Sequence, residues 1–196
     1  MKVNFVKTFI PVKDFVAVEK VGNKMLVRFD AVKDADMDAY SCVEGSVSAS
    51  EYNEQEMMRK YEAWKQKWAE KALVLAKKAK IAEIAAYDTS SSVNGFMLNG
   101  LLVWLDKATR VGLMNSTTIA KAAGQKTTTL WLGGLKLVVD CDKAIQLLSA
   151  LEMYALECFN VTASHKQAVS ELTTIEEVEA YDYKSGYPKM LEMSVQ

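Results

Sequence analysis

A chain of 196 residues, half of them apolar and a quarter charged, has material for one sizeable core or two small ones. Its 24 basic and 25 acidic side chains nearly cancel, which leaves no global pull toward nucleic acid or an anionic membrane. With only two prolines and nine glycines it is not a linker-rich chain, and its three cysteines, Cys42, Cys141 and Cys158, odd in number and without a CxxC pair, read as free thiols of a reducing compartment.

Residues 1–50 predict a small β-rich attachment module. Phe15 to Lys20 and Lys24 to Phe29 are strand-like and flank a Val21-Gly22-Asn23 turn, the pattern of a hairpin. Asp34 to Asp38 form an acidic turn, and Tyr40 to Ser48 supply another strand. So short a sheet needs a covering surface, whether the next helix, a second subunit or another protein.

Residues 51–86 predict one long amphipathic helix, started by Ser50 with Asn53-Glu54 and uninterrupted by glycine or proline. At ~1.5 Å per residue it would span on the order of 50 Å. Its stripe runs Met57, Tyr61, Trp64, Trp68, then Ala72, Leu75, Ala79 and Ala82, a heptad pattern broken by a stutter. Two tryptophans and a tyrosine on one stripe require cover. Either the helix lies across its own domain, or it is a stem that joins copies of the chain into a homo-oligomer; Met57, Tyr61, Trp64, Trp68 and Leu75 are the candidate interface. The basic cluster Lys71, Lys77, Lys78 and Lys80, flanked by Glu70 and Glu83, reads as a solvated face rather than a phosphate track.

Residues 87–196 predict a C-terminal α+β domain of two β-hairpins packed with helices. After the polar break Asp88 to Ser92, two apolar segments flank Asn99-Gly100, the residues of a type I′ turn. Asp106 caps a turn from Lys107 to Val111 that Gly112 ends; Asn115 or Ser116 then caps a short helix through Ala123, stopped by Gly124. Thr127 to Leu132 and Leu135 to Val139 form a second hairpin about Gly133-Gly134, and the two hairpins are expected to share a sheet. Asp140 or Asp142 caps the last major helix, with a break expected near Asn160 to Ser164. Thr174 with Glu177 makes a capping box for Ile175 to Tyr183, closed by Gly186 and Pro188, and Met190-Leu191 is expected to pack back. Trp104 and Trp131, each in an apolar strand, read as core, and Asp106 with Arg110, four apart, as an ion pair. The chain as a whole predicts an α+β fold.

No residue pattern here points to catalysis, and no cofactor or metal is expected. His165 shares a helical face with Cys158 and Thr162 but has no third ligand in view, so a polar or capping role is favoured. No serine sits in a G-x-S-x-G elbow, and Ala123 to Thr127 lacks the first glycine of a phosphate loop. Glu176, Glu177, Glu179 and Asp182 point different ways round one short helix and read as a solvated face.

The order Lys80-Ile81, Ile84, Asp88, Val93-Asn94-Gly95-Phe96, Asn99-Gly100, Trp104, Asp106-Lys107, Arg110, Leu130-Trp131 and a closing Ala/Leu helix resembles one small family. It is the uncharacterised C-terminal domain found on tail-fibre, tail-fibre-assembly and other tail-associated proteins of tailed bacteriophages and prophages. The resemblance covers residues of roughly 78–190. Tyr87-Asp88 stands where an Arg-Asp pair is usual, and Gly133-Gly134 where an Asp-Asn pair is usual. The resemblance implies a non-enzymatic structural or interaction protein that docks to other tail or fibre proteins and resides in the virion after synthesis in the bacterial cytoplasm. Three alternatives stand beside it: a fibre-assembly chaperone not retained in the virion, a nucleic-acid-binding accessory protein using Lys71 to Lys80, and a hydrolase using His165 with a carboxylate brought close only by the fold. No apolar run approaches a membrane span and no leader opens the chain, so no membrane partner is expected.

Overall fold

A computed structural model describes residues 1–195. The chain is α+β, and its contacts divide it into two compact units, one through Ala72 and one from Leu73 onward. The helix α1 (Glu54–Asp88) contributes its first turns to the former and its later turns to the latter.

The first unit is an antiparallel four-stranded sheet in the order β1-β4-β3-β2, from β1 (Asn4–Pro11), β2 (Val18–Val21), β3 (Lys24–Lys33) and β4 (Ala39–Ser48). The hairpin of β2 and β3 turns at Gly22, whose φ of 60° suits a residue without a Cβ. β1 is the strand that sequence reading misses. Its apolar residues fall on both faces, Phe5 and Phe9 on one and Val6 and Ile10 on the other, with Lys7 between them, so no clean alternation marks it. One sheet face receives Met57 and Tyr61 from α1 over Phe5, Val27, Phe29, Val43 and Val47. Gly45 is a packing requirement: a Cβ there would lie 2.7 Å from the Phe5 ring and 3.0 Å from the Met57 methyl. On the opposite face the nearly buried Arg28 donates to Glu44 (3.0 Å), Glu19 (2.8 Å) and the Val16 carbonyl (2.6 Å). α1 begins at Glu54, where Asn53 Oδ1 accepts from the Glu56 amide, three residues later than expected.

In the second unit the Asn99-Gly100 turn joins β5 (Gly95–Leu98) to β6 (Leu101–Trp104), with φ of 52° and 81°. The two predicted hairpins do not share a sheet. β5 instead gains β9 (Leu191–Met193) as a parallel neighbour, fixed by the Asn99 amide, which donates to the Val195 carbonyl and accepts from its N–H. Among the described residues β7 (Thr127–Leu132) and β8 (Leu135–Asp140) pair only with each other, and their turn seats Gly133 against Val103.

Helix α3 (Lys107–Ala122) is one element, where sequence reading expects a stop at Gly112 and a new start near Asn115. Gly112 costs an interior helix only about 1 kcal/mol, and the packing of α3 on the long helix from Cys141 to Glu171 outweighs that. α4 (Cys141–Glu171) likewise runs through the break expected at Asn160 to Ser164. Its polar residues are satisfied without leaving the helix: Ser164 donates to the Asn160 carbonyl, and Thr162 donates sideways to Asp88 at 2.8 Å. A one-turn helix α2 (Ser91–Asn94) precedes β5, and α5 (Ile175–Ala180) carries the Thr174–Glu177 capping box. The main core gathers Phe96, Leu98, Val103, Leu130, Leu132, Leu148 and Leu151; a smaller one joins Ile84 of α1 to Val169 and Val178.

Candidate functional site

The aromatic stripe of α1 has two fates. Met57 and Tyr61 are core residues of the first unit, which corrects their reading as free interface. Trp64 is half-buried at the edge of that core, and Trp68 is 54% exposed. Leu75 is exposed too, one helical segment further on. The reason for the split is the sheet: β1, β3 and β4 cover the helix only as far as Trp64.

The aromatic rings of this region touch in a continuous series. Tyr61 lies flat on Phe29 with centroids 4.2 Å apart, Phe5 meets both Tyr61 (5.5 Å) and Trp64 (5.6 Å), and Trp64 meets Trp68 at 5.6 Å. A bulge between Phe29 and Val32 places Asp30 at φ 50°, and its carboxylate accepts the Tyr61 hydroxyl at 2.5 Å. Burial, then this bond, pushes the Tyr61 phenol well above its ordinary pKa. Lys65 sits 5.0 Å over the Tyr61 ring and pairs with Glu62.

Beyond Trp64 the sheet continues uncovered, and a groove of about 540 Å³ opens among Lys7, Val32, Ser41, Trp64, Lys65 and Trp68. Phe9, Ser41 and Val32 form one rank across β1, β4 and β3, with Phe9 60% and Val32 66% exposed. Sequence periodicity does not show this rank, because β1 has no clean apolar alternation and the bulge shifts Val32 into line. The arrangement offers an apolar surface flanked by Lys7 and Lys65, with Asp30 also on its lining, where its carboxylate is engaged by the Tyr61 hydroxyl.

The residues of the recognised motif lie elsewhere and hold the second unit together. The Asp106 carboxylate accepts from the Thr109 amide and hydroxyl, bonds that hold it below the usual carboxylate range. Arg110 is buried and donates to Glu152 of α4 and to the Leu105 carbonyl, not to Asp106, so the expected ion pair is replaced by one that ties α3 to α4. Trp104 and Trp131 are 40% and 60% exposed, against their reading as core. Val103, Leu130 and Leu132 take the inward positions, and alternation turns the tryptophans outward, where Lys136 lies 6.0 Å over the Trp131 ring. His165 bridges the Tyr181 hydroxyl and the Ser185 carbonyl, each at 2.9 Å; a carbonyl only accepts, so Nε2 carries the proton. Burial pushes the Tyr154 phenol up to about 12 and also raises the Cys158 thiol; both donate to the Val93 carbonyl. Among the described residues no group of three His, Cys, Asp or Glu side chains is placed to hold a metal ion.

The family model described as Domain of unknown function (DUF4376) matches residues 75–185, more than half of the chain. The chain belongs to the DUF4376 family. The matched span begins in the later turns of α1 and ends after α5, so every motif residue falls inside DUF4376 and the aromatic groove falls outside it. No curated protein and no solved structure matches the chain.

Proposed function

We propose that the chain is a non-enzymatic tail-associated protein of a tailed bacteriophage or prophage, acting by protein–protein docking to other tail or fibre proteins in the virion. The motif from Lys80 to Trp131 supports the tail association through the resemblance that it carries. One observation carries the docking: Trp68, more than half exposed, packs against Trp64 at the end of an aromatic series on the lining of the groove. A large ring already held in place loses little conformational freedom when a partner covers it, which is what concentrates binding energy at such anchors.

The test is mass spectrometry of purified particles. The proposal expects the chain at a fixed ratio to other tail proteins; its absence from particles excludes the permanent-component reading. A fibre that assembles only when the chain is co-expressed, in particles that lack it, would assign it as a chaperone instead.

A further inference from the structure

We infer that the open edge of β1 takes up an extended segment of a partner protein, rich in acidic and apolar residues, as an added strand of the first unit's sheet. This rests on the docking reading and names the partner's chemistry.

The edge is set up by hydrogen-bond alternation. The Val12 amide donates to the Asp38 carbonyl at 3.2 Å, and the register runs from Asn4 opposite Ser46 to Pro11 opposite Ala39. In an antiparallel pair the residues that bond to the neighbour alternate with residues that point away. The even-numbered residues of β1 therefore bond to β4, and the N–H and C=O groups of Phe5, Lys7 and Phe9 face the open edge. Among the described residues β1 has no second neighbour in its sheet. The side chains at these same odd positions stand on the face covered further along by Tyr61 and Trp64, since Phe5 is in that core. A strand added here meets Lys7 and then Phe9, beside the groove that Trp68 and Val32 line.

Charge decides which strand. Lys7 lies in β1, with Lys2 before the strand and Lys13 just after it, no acidic residue comes before Asp14, and none of the three lysines is in an ion pair among the described residues. Lysines along an edge oppose strands of like charge. A second copy would bring the same three lysines to the junction, whereas a carboxylate opposite Lys7 neutralises it and an apolar side chain opposite Phe9 covers the groove.

The experiment uses the full chain and a short synthetic peptide alternating glutamate with valine, followed by tryptophan fluorescence, with a lysine–valine peptide as counterpart. Binding of the acidic peptide is expected, weakened at least about tenfold by Lys7→Glu, which should gain the lysine peptide. Phe9→Pro removes one outward N–H without touching the ladder to β4, so it should bind at least about tenfold more weakly than Phe9→Val. Equal binding by those two variants, indifference to Lys7→Glu, or no binding of the acidic peptide would overturn the inference, as would a dimer in light scattering that Phe9→Pro dissociates. If Phe9→Pro fails to fold, the Lys7→Glu comparison still decides. Presence in particles without peptide binding would leave the docking reading standing; peptide binding with absence from particles would reverse that.

Discussion

Tyr61 donates its phenolic hydrogen to Asp30 across 2.5 Å and thereby fastens α1 to the bulge of β3. Tyr61→Phe keeps the ring stack and removes only this bond, at an expected cost of about 1–2 kcal/mol because the carboxylate is largely solvated. The folded phenol holds its proton more tightly than an unfolded one. Its stabilisation is therefore whole below about pH 10 and is lost as pH rises toward the folded value. Spectrophotometric titration should find a late-ionising step to which Tyr61 and Tyr154 contribute, and Tyr61→Phe should remove part of it.

Gly45 admits no larger residue without movement. Gly45→Ala sets a methyl against Phe5 and Met57, and chemical denaturation should show a loss of about 1–3 kcal/mol. Met57→Ala, at a fully buried position, should cost about 2–5 kcal/mol, while Trp68→Ala should leave stability nearly unchanged.

Arg110→Ala removes the tie from α3 to α4 and leaves the Leu105 carbonyl without its donor. A loss of about 2–3 kcal/mol is expected, smaller than for a fully buried pair because Glu152 is partly solvated. Thermal melts of the variant should show it, and Arg110→Lys should recover only part.

Asp106 and Glu177 both accept backbone N–H bonds at helix starts, and both carboxylates are held below their ordinary range. Depressed folded values mean that their contribution is complete above about pH 5 and is lost as pH falls through the folded values. Asp106→Asn keeps a capping acceptor and should flatten the acid limb of the stability curve; its unchanged slope would contradict the assignment.

Lys77 and Lys80 of α1 donate to the Ser170 and Glu179 carbonyls, in the last turns of α4 and α5, at 2.7 and 3.3 Å. Part of the basic cluster is thus engaged with helix C-termini. Replacing either lysine by glutamine should lower stability by about 0.5–1 kcal/mol and leave retention on DNA at low salt unchanged.

Local chemistry was legible where one or two residues decide the backbone. Asn99-Gly100, Asp106 and Thr174–Glu177 each announce a turn or a cap, and each stands where it was read. Long-range partners were not. Nothing local tells Arg110 to choose Glu152, 42 residues away, over Asp106, and nothing in Leu191 to Met193 announces a parallel strand beside β5. Trp104 and Trp131 show the limit of composition: an apolar strand contains both faces, and only the register of Val103, Leu130 and Leu132 tells which one a tryptophan occupies. The groove needed β1, a mixed strand, and the bulge at Asp30, neither of which a periodicity argument detects.

The most direct test is the amount of the chain in purified particles for the wild type and for Trp68→Glu, a variant expected to fold normally because the position is exposed. Wild-type chain is expected in the particle, with at least about tenfold less of the variant. Equal amounts of both would contradict docking through this surface.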